Sequence, residues 1–206
     1  MTKADSYSSL ERRFLDPVRG PGLRVNLPIV RLLARLGISP HAVSLSGPLF
    51  GLAFVLIVPH NPRLSFLVWL VSVWVDNLDG SLARYTGRAS DFGALMDQVA
   101  DHLREIMILA GLASAGALHP LWGSLYPFVY TELNVILFIT NYYAVPIPLA
   151  LKSWPLLYPV IALYLLWDIN YLDYAVGLCV LLMSVTIAHG LCLLSRAMHS
   201  QPKADR

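Results

Sequence analysis

Charge is what this chain has least of. Only 14% of its 206 residues are Asp, Glu, Lys or Arg, against about 25% in an ordinary soluble domain. Cysteine is nearly absent. Cys179 and Cys192 fall in one late apolar run, about 20 Å apart along a helix and too far to bond there. Both read as small buried hydrophobes. The polar N-terminus offers no cleavable leader, so the first apolar run is the expected insertion signal. There is no internal repeat, no low-complexity stretch and no glycine-rich nucleotide loop of the soluble kind. No nucleic-acid partner is expected, and the formal net charge of +2 by itself says little.

Apolar residues dominate instead, at 56%, which is the composition of a multi-pass membrane protein. The expected fold is all-α: six transmembrane helices near 42–59, 64–86, 91–118, 121–143, 155–168 and 174–195. A basic segment precedes them. Leu23, Leu27, Val30, Leu33 and Ala34 recur at helical spacing with arginines between them. This reads as an amphipathic helix on an anionic membrane surface, or as an ordinary juxtamembrane segment. The chain therefore divides into a cytoplasmic and interfacial segment over 1–41, a membrane domain over 42–195 and a tail over 196–206.

The basic residues orient these spans. With the N-terminus inside, thirteen fall on the cytoplasmic side: Lys3, Arg12, Arg13, Arg19, Arg24, Arg31, Arg35, Arg84, Arg88, Lys152, Arg196, Lys203 and Arg206. Outside lies Arg63 alone. That is a positive-inside distribution. Trp122, Tyr126, Trp154 and Tyr174, near span ends, read as interfacial anchors.

The stretch VDNLDGSLARYTGRASDFGALMDQVAD, residues 75–101, breaks the apolar pattern with five aspartates. Asp91 is placed to cap the third span. The other four lie inside spans, where each carboxylate costs about 2.5–3.5 kcal/mol. Asp76, Asp79, Gly80 and Ala83 share one helical face, and Gly93, Asp97 and Asp101 share one on the next helix. The turn between them is centred near Arg88. Asp79 and Asp97 are equally far from it, as are, within one residue, Asp76 and Asp101. Four carboxylates thus meet across a hairpin, about 13–19 Å from its tip. Converging carboxylates need protons or cations. All-oxygen ligands suit Mg²⁺, Mn²⁺ or Ca²⁺. Two divalent cations would balance four aspartates and serve phosphoryl chemistry.

Gly80, Ala83 and Gly93 either leave a hollow beside the carboxylates or allow close helix packing. Arg84 is suited to gripping a phosphate or to anchoring the cytoplasmic end. Arg104 either faces an anionic acceptor or pairs with Asp101 or Glu105. Lys152 and Arg88 are further candidates for that acceptor. His102 reads as a packed or solvated histidine. Glu132, Asn134 and Asn141 bond between helices or line an acceptor cavity.

The spacing Asp76-x2-Asp79-Gly80-x2-Ala83-Arg84-x8-Gly93-x3-Asp97-x3-Asp101 resembles the signature of the CDP-alcohol phosphotransferase (phosphatidyltransferase) family. The resemblance covers 26 residues, and six spans after a basic helix resemble that family too. It implies an enzyme that passes a substituted phosphate from a CDP-alcohol, such as a CDP-linked lipid, to an acceptor hydroxyl and releases CMP. It implies two Mg²⁺ or Mn²⁺ ions, bridged by Asp76 and Asp97, with Asp79 completing one site and Asp101 the other. Asp101 would also be the base. Gly80, Ala83, Arg84, Ser90 and Gly93 would contact the CDP moiety. Ser39-Pro40-His41-Ala42 is similar to the family's nucleotide-facing Pro-Asn segment, with His41 in place of Asn. A homodimer with a cytoplasm-facing site is also implied. The competing class, an ion or proton transporter, explains intramembrane carboxylates but not their spacing, the small residues or Arg84.

Overall fold

The computed structural model describes residues 26–143, 145, 147 and 153–200. The described part of the first helix covers 26–35 (α1). Seven more follow: α2 Pro40–Ser44, α3 Ser46–Ile57, α4 Pro62–Tyr85, α5 Asp91–Ser114, α6 Pro120–Tyr142, α7 Trp154–Trp167 and α8 Leu172–Ser200. No strand occurs among the described residues.

Local chemistry sets most boundaries. Ser39 Oγ accepts from Ala42 N at 3.2 Å and Asn61 Oδ1 from Leu64 N at 3.0 Å, each followed by a proline. Proline at the first helical position forfeits no bond. α5 is capped by Ser90, whose Oγ accepts from Gly93 N at 3.0 Å. Asp91, expected as the cap, is instead the first helical residue. Its charge there favours the positive end of the helix dipole. Gly87 ends α4 at φ 66°, with Arg88 N donating to Ala83 O at 2.9 Å, the bond that closes a helix through a left-handed residue. Gly116, at φ 75°, stops α5 at Ser114, short of the expected 118.

One span differs in form from the sequence reading. The first divides at Leu45 because Pro48 has no N–H for the carbonyl of Ser44. α7 is 14 residues long, as the expected span 155–168 is, displaced by one residue, and it starts from a buried residue. Ser153, 3% exposed, lies 2.5 Å from the hydroxyl of Tyr126 and donates to Glu105 at 3.0 Å. Tyr126 therefore is no interfacial anchor. It is fully buried and also bonds Glu105. Its ring completes an apolar position while its hydroxyl satisfies a buried carboxylate.

α3 packs on α5, α6 on α8, and α4 against α2, α3 and α7. The α3–α5 approach is close because glycines face side chains across it. A Cβ on Gly111 would sit 3.0 Å from the Phe54 ring, and one on Gly51 would sit 3.0 Å from Met107. In lipid, close packing of this kind replaces the hydrophobic effect as the force between helices. Phe54, Leu109, Leu112, Leu133 and Leu137 form the centre. A smaller cluster of Val30, Val43, Leu78 and Leu82 seats α1 and α2 on α4, beside the α4–α5 turn. Arg31 and Arg35 stay exposed on the far side of α1.

Three segments are long and apolar enough to cross a membrane by length and composition: Pro40–Ile57, Pro62–Tyr85 and Leu172–His199. α5 and α6, at 24 and 23 residues, match them in length but not in apolarity. Both cysteines are free. Cys179 is buried as expected, but Cys192 is exposed. Thirteen residues turn a helix through about three and two-thirds turns, which puts the second cysteine near the opposite face.

Candidate active site

The start of α2, the end of α4 and the start of α5 enclose a cavity of about 360 Å³. α4 and α5 supply its carboxylates from facing sides. Asp97 lies within hydrogen-bonding reach of Asp79, and Asp101 of Asp76, so residues equidistant from the turn do meet. One carboxylate oxygen from each of Asp76, Asp97 and Asp101 lies within 4.8 Å of the others. This donor set is all oxygen and anionic, which fits a hard divalent cation.

Asp79 is held differently. It is 4% exposed. Its Oδ2 accepts from Ser44 Oγ at 2.6 Å, and its Oδ1 contacts the N–H of Gly80. Ser44 was not singled out in the sequence. It lies 35 positions from Asp79, and the only signal was its place one turn after Pro40, on the face that lines the cavity.

Gly80, Ala83, Arg84, Ser90 and Gly93 all line the cavity, with Pro40 and His41 opposite. The space at Gly80 is used by Arg84, whose Nη1 would lie 3.3 Å from a Cβ there. A Cβ on Gly93 would meet Ser90 Oγ at 3.2 Å and the His41 ring at 3.4 Å. Both glycines therefore hold open the path between the two helices and α2. The His41 ring sits edge-on to Phe92, 5.9 Å between centroids. Ser39 and Ala42 do not line the cavity. Their bond caps α2, which aims Pro40 and His41 inward. Asn77, Arg88, Ala89 and Ala94 complete the lining.

Arg104 lies behind the carboxylates and does not line the cavity. It is 4% exposed and bonds Asp76 at 2.8 Å and Asp101 at 3.2 Å. Of the roles open to it in the sequence, this is the ion pair with the cluster, extended to Asp76. Lys152 lies outside the described residues. His102 is stacked on Tyr130 at 4.3 Å, and Asn134 accepts from Gln98 at 3.3 Å, joining α5 to α6.

A family model described as CDP-alcohol phosphatidyltransferase matches residues 38–194. The chain is 37% identical over 97 residues to the archaetidylinositol phosphate synthase of Pyrococcus horikoshii, covering 45% of this chain and 52% of that protein. It is 34% identical over 92 residues to the phosphatidylinositol phosphate synthase of Mycobacterium marinum, covering 43% and 39%. The matches span about half or less of the length of these curated relatives. Among solved structures, the apo Mycobacterium tuberculosis phosphatidylinositol phosphate synthase superposes with a TM-score of 0.67 at 20% identity, covering 87% of this chain and 99% of that one. The same protein with CDP-DAG bound gives 0.62 at 21%, covering 89% and 98%. These superpositions establish a shared fold.

Proposed function

The chain belongs to the CDP-alcohol phosphatidyltransferase family, and on that premise we propose that it transfers a phosphatidyl or related group from a CDP-alcohol, such as CDP-diacylglycerol, to an acceptor hydroxyl and releases CMP. The observation that carries this reading is the meeting of Asp76, Asp79, Asp97 and Asp101 from α4 and α5 around one cavity with Arg84 at its rim.

In this reading Asp76, Asp97 and Asp101 would hold one divalent cation, and Asp79, oriented by Ser44, would join Asp76 and Asp97 in holding a second, both Mg²⁺ or Mn²⁺. When bound there, the cations would supply the charge that neutralises the diphosphate and the departing CMP. Arg84 contributes fixed positive charge to the same phosphates. Gly80, Ala83 and Gly93 let the diphosphate approach the helices, while Ser90, His41 and Pro40 face the nucleotide. Ser39 and Ala42 support that wall by capping α2. Asp101, the last aspartate on α5, takes the proton of the acceptor hydroxyl. The freed oxygen attacks the lipid-bearing phosphorus, the P–O bond to CMP breaks, and the electron pair leaves with CMP. An alcohol attacks poorly until it loses that proton.

The enzyme is a multi-pass membrane protein of six spans with the cavity open to the cytoplasm. Support comes from the thirteen-to-one basic asymmetry and from the outward apolar faces of Leu49, Leu52 and Leu56 on α3 and Leu178, Leu181 and Val185 on α8. Such faces are too extensive for water. Residues 42–195 form the catalytic domain, α1 rests at the interface, and 196–206 is a cytoplasmic tail. The assembly is a homodimer by family resemblance. Arg88, and with it Lys152, contacts an anionic acceptor. The test is incubation of purified protein with CDP-diacylglycerol, Mg²⁺ and a panel of acceptors: inositol phosphate, glycerol phosphate, serine and an amino alcohol. CMP and one new lipid product by mass spectrometry are expected. CMP-free mixtures across donors and acceptors would refute the proposal.

A further inference from the structure

Arg104 brings a positive charge into the carboxylate cluster from below. Its Nη1 lies 2.8 Å from Asp76 Oδ1 and 3.4 Å from the carbonyl of Ser72. Its Nη2 lies 3.2 Å from Asp101 Oδ1. Its Nε is buried without a hydrogen-bond partner. α3 presses on the same residue: Arg104 Cδ lies 3.9 Å from a Cβ built on Gly47, and Arg104 Cα 3.3 Å from one built on Gly51. A larger residue at Gly51 would push into the α5 backbone at Arg104. The side chain is therefore held in place by its packing as well as by its ion pairs.

Two features of this arrangement bear on cation binding. A guanidinium stays charged under all physiological conditions, so the charge cannot be shed. It engages one oxygen of each carboxylate, and a carboxylate has two, with about four acceptor positions. Arg104 can stay in place while the remaining oxygens of Asp76 and Asp101 take a metal. Its charge then opposes the metal directly, from a guanidinium that is itself shielded from water.

Building on the two-metal reading above, we propose that Arg104 is a resident counter-cation of the aspartate cluster: it weakens divalent-cation binding and leaves the loaded site with the surplus positive charge that receives the donor diphosphate. The tally of charges supports both halves. Four aspartates with Arg104 carry three net negative charges. Two divalent cations turn that into one net positive charge, where four aspartates alone would be neutral. Arg104 is a positioning residue by this account, acting through Asp76, Asp101 and the field they share.

The neutral variants Arg104→Met and Arg104→Gln test it, with Arg104→Lys keeping the charge. Mn²⁺ binding is read from the free-ion electron paramagnetic resonance signal of purified protein in nanodiscs. CDP-diacylglycerol affinity is read at saturating Mn²⁺ without acceptor. The neutral variants should bind Mn²⁺ about tenfold or more tightly, a shift of about 1.4 kcal/mol, and bind the donor about tenfold more weakly. Their thermal midpoint should fall further in chelator than in Mn²⁺. A merely structural role moves both affinities the same way, or neither. Folded neutral variants with unchanged or weaker Mn²⁺ affinity overturn the proposal. If neither neutral variant folds, Arg104→Lys decides. One ammonium releases one carboxylate, so Mn²⁺ binding should tighten about threefold, and no change overturns the idea. Wild-type protein that binds no Mn²⁺ refutes the two-metal reading itself and this proposal with it. Wild-type binding that Asp97→Asn abolishes and Arg104→Met leaves untouched refutes this proposal alone.

Discussion

Ser44→Ala removes one hydroxyl from beneath one carboxylate, and the structure sets the size of the effect. Ser44 Oγ lies 2.6 Å from Asp79 Oδ2, and Asp79 is 4% exposed. The second acceptor in reach, Pro40 O, is at 3.3 Å, so the proton goes to the carboxylate. A hydrogen bond to a charged group contributes about 1.5–3 kcal/mol. At about 1.36 kcal/mol per factor of ten, that is about 10- to 150-fold. Alanine keeps the Cβ, so little packing is lost. If Asp79 is a metal ligand, the energy appears as weaker metal binding, in line with the about 10–100-fold loss when a ligand's supporting partner is removed. The assay is CMP release at fixed donor and acceptor across a Mg²⁺ titration, with thermal unfolding alongside. Ser44→Ala should shift the Mg²⁺ midpoint upward by one to two decades and recover much of kcat at high Mg²⁺. Ser44→Thr should stay near wild type. A variant with the wild-type Mg²⁺ midpoint, whatever its stability, would show that Asp79 does not hold the cation through Ser44.

Three other outcomes are expected. Asp101→Asn should keep most CDP-lipid affinity while losing about 10²–10⁴-fold in turnover, as loss of a general base does, whereas Asp79→Asn should lose affinity as well; equal losses of affinity would make Asp101 chiefly a ligand. Gly190→Ala should destabilise the α6–α8 packing by about 1–3 kcal/mol, since its Cβ would fall 2.6 Å from Ile136 Cγ2 and 2.8 Å from Ile147 Cδ1; an unchanged thermal midpoint would show that this contact relaxes freely. A single cysteine at position 88, in a chain lacking Cys179 and Cys192, should resist an impermeant maleimide added outside intact cells; labelling from outside would reverse the orientation.

The parts of this structure that are legible in the sequence are those encoded by local spacing. The aspartates of α4 and α5 face one another because helix periodicity and equal distance from a turn are both countable. Helix ends follow from Gly87, Gly116 and the prolines after Ser39, Asn61 and His119. What spacing does not encode is contact between distant segments. The bond from Ser44 to Asp79 spans 35 positions, and the meeting of Glu105, Tyr126 and Ser153 joins three helices. Tyr126 sits where an interfacial tyrosine is expected, and only the depth of Ser153 shows why it turns inward. Arg104 had two roles open in the sequence. The choice depended on Asp76, which belongs to another helix. The Leu45 break was encoded in Pro48, three residues beyond it and six into a run otherwise apolar enough to read as one span.

The most direct test of the central claim is metal-dependent turnover measured on wild-type protein and Asp97→Asn side by side. Asp97 stands between Asp79 and the group formed with Asp76 and Asp101, so both cations depend on it. CMP release from CDP-diacylglycerol is followed during a Mn²⁺ titration, with the acceptor identified by the panel, and bound Mn²⁺ is counted in parallel. The account predicts two Mn²⁺ per wild-type chain, CMP release that stops in chelator, and loss of both in folded Asp97→Asn. Full CMP release by that variant, or by wild type in chelator, would contradict it.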